Sequence, residues 1–255
     1  MTIEQDEAPS VQEAMDGGYM KVVFQPILDL SQHKPFGYEC LVRCKYPGLE
    51  NPLRLFELAV EQGLTGELGR LLRRIAVDSA PDECLFLNLH PTELAGGWLV
   101  RPDDAIFEHS APIYLEITES VPLTHFDLCD DILRELRHKG MHIAVDDLGA
   151  GYSNLKYITD LAPDIVKLDR ELVRNISEDN RLLILVQHMI ALCEDLGAKV
   201  VAEGIETEEE LGALRAIGAH YGQGYFIARP AFPLPSVVRS ALDAPDDAEE
   251  SAPGA

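Results

Sequence analysis

Polar side chains that could do chemistry sit within or at the ends of short apolar runs: Glu39, Asn88, Glu116, Asp146, Asp147, Lys167, Asp169, Glu203 and Gln223. Carboxylate and amide oxygens are ligands for hard divalent cations such as Mg2+ or Mn2+ rather than for thiophilic metals. Three or more carboxylates gathered at one point repel one another unless protons or cations intervene. The doublet Asp146-Asp147 is suited to bridging two ions. Two ions can activate a water and stabilise the leaving oxygen in an in-line attack on phosphorus. A lysine beside them, Lys167, can orient that water, or act as a base if its pKa is depressed. Taken singly, each residue has a plainer reading. Lys167 and Asp169 could be a structural ion pair, and Asn88 ahead of His90-Pro91 a turn former.

For these side chains to meet, the runs that carry them must be strands ending on one face. The runs are residues 22–24, 36–42, 84–88, 112–116, 142–147, 165–169, 199–203 and 221–227. Several are almost wholly apolar, as strands covered on both faces should be. Helical spacing of apolar residues predicts helices from Phe126 to Lys139, with Gly140 as stop, from Arg181 to Leu196, and from Glu208 to Ile217. The apolar stripe of Arg181–Leu196 reads as packing against the strands. Eight strands, most of them alternating with helices, predict a (β/α)8 TIM-like barrel in a single α/β domain. In a parallel barrel the strand ends converge on one face, where such folds carry their sites. A doubly wound open sheet is the alternative, although the Gly-rich turn after its first strand is missing.

The bulk properties limit the chemistry further. The 255 residues carry 21 Lys plus Arg against 44 Asp plus Glu, a formal charge of −23. A chain this acidic has no basic face for a DNA or RNA polymer. It would also repel a small phosphorylated substrate unless cations reverse the field locally. No run approaches the ~18 apolar residues of a membrane span, and the acidic start, Met1 to Glu7, is unlike a signal peptide. A cytoplasmic protein is expected. Cys40, Cys44, Cys84, Cys129 and Cys193 have neither zinc nor disulfide-framework spacing, and read as small buried thiols. Residues 1–18 and 243–255 are polar and acidic and read as flexible tails, with one domain, 19–242, between them.

The order of motifs carries a resemblance. Phe24-Gln25-Pro26-Ile27 is followed by Glu39-Cys40-Leu41-Val42-Arg43, Asn88-Leu89-His90-Pro91 and Leu115-Glu116-Ile117-Thr118-Glu119-Ser120. Then come the stretch from Asp146-Asp147-Leu148-Gly149 to Ser153, Val166-Lys167-Leu168-Asp169, Ala202-Glu203-Gly204-Ile205-Glu206 and Gln223-Gly224-Tyr225. In order and spacing this resembles the EAL family of cyclic di-GMP phosphodiesterases, over roughly residues 19 to 242.

The resemblance implies a set of roles. Glu39, Asn88, Glu116 and Asp146 would bind a first Mg2+ or Mn2+ ion, with Asp146 shared and Asp147 serving the second. Glu203 would complete the two-metal site. Lys167, Glu203 and Glu39 would form the catalytic set, Lys167 orienting or deprotonating the attacking water. Gln25, Leu41, Arg43, Asp169 and Gln223 would contact cyclic di-GMP, the guanidinium suiting a phosphate oxygen. Gln223 and Glu206 would lie just outside the metal ligands, and Glu119 would hold the loop from Leu148 to Asn154. The family also implies a homodimer. Departures from its pattern are Cys40 for Ala, Cys44-Lys45 where Trp is usual, His90 for Ser, and Leu148 and Asn154 for Phe and Ser. The product would be linear pGpG. The alternative is an EAL domain that binds the nucleotide as a receptor, or serves as an interaction scaffold.

Overall fold

The computed structural model describes residues 9–118, 126–150, 156–238 and 241. Eight strands close into a barrel in sequential order, β1 (Met20–Asp29), β2 (Lys34–Cys44), β3 (Leu85–Asn88), β4 (Ile113–Thr118), β5 (His142–Leu148), β6 (Ile165–Leu168), β7 (Lys199–Ala202) and β8 (Tyr221–Gly222). The closed barrel settles the choice against an open sheet. The helices are α1 (Val11–Asp16), α2 (Pro52–Glu61), α3 (Thr65–Ser79), α4 (Pro91–Ala95), α5 (Phe126–His138), α6 (Lys156–Leu161), α7 (Asn180–Asp195) and α8 (Glu208–Ala216).

The barrel departs from all-parallel order at one strand. β1 runs antiparallel to both β2 and β8, and every other pairing is parallel. The cause is local. Residues 30–33 are too short a link for a crossover, which takes a dozen residues or more. Asp29 builds the hairpin by accepting the amides of Ser31 and Gln32 at 2.9 and 2.8 Å. Gln25 therefore lies mid-strand, directly opposite Glu39, and not at a carboxyl end.

Two boundaries are corrected. The tail expected over residues 1–18 gives way to helix α1, whose Val11 and Ala14 are fully buried against Met20, Leu55, Leu58 and Leu68. Ser10 caps it by accepting the Glu13 amide, and Ser10-x-x-Glu13 is the sequence signature of such a start. Residues 1–8 and the expected tail 243–255 lie outside the described residues. The last strand, expected over 221–227, stops at Gly222, because the amide of Ala228 turns back to Gly224.

Alternation along the strands makes the interior a stack of layers. Ile27, Phe86, Ala144, Ile165, Val201 and Tyr221 form one apolar layer inside the barrel. Phe36 stacks on Tyr221 at 4.1 Å between centroids, and Phe86 on Tyr114 at 4.5 Å. This plug fills the lower half and excludes water beneath the next layer. Outside the strands, helix residues such as Leu133, Leu136, Val186 and Ile190 bury against the barrel wall. Each such side chain contributes about 1.5–3 kcal/mol. Cys40, Cys44 and Cys193 are buried as expected, whereas Cys84 is only partly covered.

Candidate active site

Moving two residues along each strand from the apolar layer reaches the polar one. Phe86 leads to Asn88, Tyr114 to Glu116, Ala144 to Asp146, Ile165 to Lys167, Val201 to Glu203 and Tyr221 to Gln223. The side-chain period of two thus delivers residues from six strands to one level, and β2 adds Glu39.

Lys167, 1% exposed, stands at the centre. Its Nζ lies 2.6 Å from Glu116, 2.7 Å from Glu203, 2.9 Å from Asp146 and 3.7 Å from Glu39. Gln223 donates to Glu39 at 2.5 Å and to Gln25 at 3.2 Å, Gln25 donates to the Ala228 carbonyl, and Asn88 reaches Glu39 at 3.4 Å. Glu39 is thus held from both sides by amides.

One ammonium cannot satisfy four acids. Glu116 Oε1 and Asp146 Oδ1 are paired with Lys167 at 2.6 and 2.9 Å, whereas Glu116 Oε2 is buried without a hydrogen bond. A buried carboxylate oxygen left this way is costly. Burial pushes the Glu116 carboxyl far above its usual pKa, Lys167 opposing and Glu39 and Asp146 reinforcing the shift. Burial likewise raises Glu203 to about 8. For Lys167, burial disfavours the ammonium, but Asp146, Glu116, Glu203 and Glu39 outweigh it and hold the pKa well above normal. The four acids thus hold Lys167 as an ammonium that donates to them, which favours the orienting role over that of a base.

The strand-end doublet is made possible by a bulge. Between the pairs Val145–Val166 and Leu148–Leu168, β5 advances three residues while β6 advances two. Asp147 takes up the extra residue in the left-handed region, at φ 59°. Successive strand residues normally face opposite ways, yet Asp146 and Asp147 both line the mouth. Asp146, Asp147 and Glu203 can each bring an oxygen within 4.8 Å of the other two. Burial and the neighbouring Asp146 raise the Asp147 carboxyl to about 6. The oxygen-only donor set and the unpartnered Glu116 Oε2 fit hard divalent ions. Glu39 from β2 shares the mouth, Glu116 from β4 meets Asp146 and Glu203 at Lys167, and Asn88 from β3 joins through Glu39.

The other expected residues divide between two adjoining hollows. Asp169 and Glu206 join Gln25, Lys167 and Gln223 around the acidic mouth, a cavity of about 280 Å³. Asp169 also caps the turn over Arg170–Leu172 by accepting the Glu171 amide at 2.8 Å. Leu41 and Arg43 lie elsewhere, with Asn88, on a mainly apolar cavity of about 780 Å³ between β2 and helices α2 and α3, which shares Glu39 with the mouth. Glu119 and Asn154 lie outside the described residues, so of the loop after Asp147 only Leu148 to Ala150 is seen.

Three contributors escaped the sequence reading. Arg170 and Tyr225 line the mouth, and Phe56 lines the apolar cavity, its ring parallel to His90 at 6.1 Å. Phe56 shares an i, i+3, i+7 spacing with the exposed Leu53 and Val60, a second apolar stripe on α2 that could have been read. Gly204, at φ 73°, has no room for a side chain, since a Cβ there would collide with Arg170.

Comparison with known proteins follows the same lines. The EAL domain family model matches residues 8–230. An uncharacterized signaling protein of Caulobacter vibrioides is 36% identical over 82% of this chain and 27% of its own length. A protein of Pseudomonas aeruginosa named cyclic di-GMP phosphodiesterase is 33% identical over 83% of this chain and 38% of its own. This chain therefore spans about a third of these relatives. Among solved structures, BlrP1 of Klebsiella pneumoniae, in a manganese and cyclic di-GMP complex, superposes with a TM-score of 0.73 at 31% identity, covering 88% of this chain and 58% of that one. The family match and the barrel agree on one conclusion: the chain belongs to the EAL domain family.

Proposed function

We propose that the protein is a phosphodiesterase that hydrolyses one 3′-5′ phosphodiester bond of cyclic di-GMP to give linear pGpG, with two divalent ions, Mg2+ or Mn2+, as cofactors. The observation that carries this reading is the ring of Glu39, Glu116, Asp146 and Glu203 around Lys167, four acids sharing one ammonium, with Glu116 Oε2 left without a partner. Glu39, Asn88, Glu116 and Asp146 would hold one ion, and Asp146, Asp147 and Glu203 the other. Bound there, the ions would supply Lewis-acid polarisation of the phosphate and a nucleophile at neutral pH. They would also reverse the negative field that a chain of formal charge −23 presents to an anionic substrate.

The chain's own residues supply position. Lys167, kept as an ammonium, donates towards the attacking water and steadies Glu203 and Asp146. Gln223, braced by Gln25, fixes Glu39, and both amides, with Asp169, border the substrate at the mouth. The 280 Å³ mouth is too small for a whole cyclic dinucleotide, so one base extends into the adjoining apolar cavity. Arg43 stands on that route, where its guanidinium meets a phosphate oxygen. A homodimer is part of the reading. Ile184, Leu185 and Leu192 on α7 and Leu196 at its C-cap are 45%, 50%, 38% and 42% exposed, an apolar face suited to a second copy.

The test incubates purified protein with cyclic di-GMP and Mn2+ or Mg2+, with and without EDTA, and follows pGpG by chromatography. Metal-dependent product that disappears in Asp146→Asn is the expected result. Tight nucleotide binding without product would replace the enzyme with a receptor. Neither turnover nor binding would leave a scaffold.

A further inference from the structure

Away from the mouth lies a second buried charge cluster that no role above uses. Arg73 on α3, Glu93 on α4 and Asp104 are 2%, 1% and 1% exposed. Arg73 Nη1 lies 2.5 Å from Glu93 Oε2, and Nε and Nη2 contact Asp104 Oδ2 at 3.0 and 2.8 Å. Asp104 also accepts the Ile106 amide at 3.3 Å. A buried ion cluster of this kind seldom raises stability above that of an apolar replacement, so its placement calls for another reason.

That reason is what Glu93 holds. Its second oxygen, Oε1, accepts the His90 amide at 3.2 Å, while the His90 ring accepts the Thr92 amide at 3.3 Å. This is a reciprocal cap on a helix of only five residues. His90 is two residues beyond Asn88, and between them the Leu89 amide makes the last ladder bond, to the Glu116 carbonyl at 3.0 Å. The chain leaving Asn88 is thus tied on one side to the strand that carries Glu116 and on the other to Glu93. Arg73 sets the carboxylate of Glu93, and Asp104 sets Arg73. Gly69 leaves the space for it, since a Cβ there would collide with Glu93 Oε2.

We propose that Glu93, set by the buried Arg73–Asp104 pair, is a positioning residue that fixes the turn after β3 and so aims Asn88 at the cation site. The proposal rests on the phosphodiesterase reading for the role of Asn88, and on geometry alone for the turn. Glu93 borders the apolar cavity, with both carboxylate oxygens already engaged by Arg73 and the His90 amide. It acts through the His90 amide.

The test uses the full chain with Glu93→Leu, which removes the acceptor, and Glu93→Gln, which keeps an oxygen for the His90 amide. Val186→Ala, in the core beneath α7, is a destabilised control. Mn2+ affinity is read by calorimetry, and amide exchange over residues 88–93 by mass spectrometry. In Glu93→Leu the Mn2+ dissociation constant is expected to rise about 10-fold, as for lost outer partners of metal ligands. Exchange over 88–93 should quicken, and Glu93→Gln should recover most of both. Val186→Ala should lower the melting temperature and move neither. Unchanged exchange and affinity in a folded Glu93→Leu would overturn the inference, as would equal losses in Val186→Ala. If the parent binds and hydrolyses while Glu93→Leu is unaffected, the inference alone falls. A parent that binds no Mn2+ would overturn the phosphodiesterase reading and the inference together.

Discussion

Lys167 shows how far one side chain depends on its surroundings. An isolated buried lysine tends to lose its proton, and the run Ile165-Val166-Lys167-Leu168 invites that expectation. Four carboxylates within 3.7 Å reverse the sign. The acids are strained in turn, Asp147 to about 6 and Glu203 to about 8. A carboxyl with a raised folded-state pKa binds more protons folded than unfolded. Its contribution is therefore present at low pH and lost as pH rises through the folded value. In EDTA, the melting temperature should fall as pH rises from about 5 to 8, and saturating Mn2+ should flatten that fall. Thermal melts across this range are the measurement, and a metal-free profile without the decline would refute the strained cluster.

At the scale of elements, two short features govern the site. The tight approach of Gly204, at φ 73°, to Arg170 lets the segment after β7 turn sharply and keeps Glu203 at the central layer. Gly204→Ala is expected to cost about 1–3 kcal/mol from backbone strain and crowding, with turnover falling alongside melting temperature. Helix α2 forms one wall of the apolar cavity through Phe56. If a guanine lies there, Phe56→Ala should raise KM roughly 5- to 10-fold, about 1–1.4 kcal/mol of ring contact, with kcat little changed. Steady-state kinetics separate the two, and a loss confined to kcat would place the base elsewhere.

At the scale of the whole molecule, the acidic surface and the apolar face of α7 pull in opposite directions. A formal charge of −23 favours separated chains, while Leu185 and Leu192 favour association. Added salt screens the first and leaves the second, so the proposed dimer should be favoured as ionic strength rises. Leu185→Glu with Leu192→Glu should shift sedimentation to the monomer without lowering the melting temperature by more than a few degrees. A persistent dimer would move the interface to another surface.

Most of the architecture was legible because it is written in local patterns. The apolar runs marked all eight strands, and the stop at Gly140 and the spacing within Arg181–Leu196 marked their helices to within a residue or two. The acids, Lys167, Asn88 and Gln223 were legible for the same reason. A period of two places whatever follows an apolar inward residue on the next layer up. What the tertiary structure decided was everything that depends on closure. The short link over residues 30–33 turned β1 antiparallel and brought Gln25 opposite Glu39. The bulge at Asp147 let two neighbouring acids face one way, and ring closure packed acids around Lys167 until it held its proton. Leu41 and Arg43 went to a second cavity, because only the packing of α2 and α3 on β2 creates that hollow. Sequence period determines which face a side chain points to. How many charges share that face, and whether a proton or a cation must join them, is a property of the closed barrel.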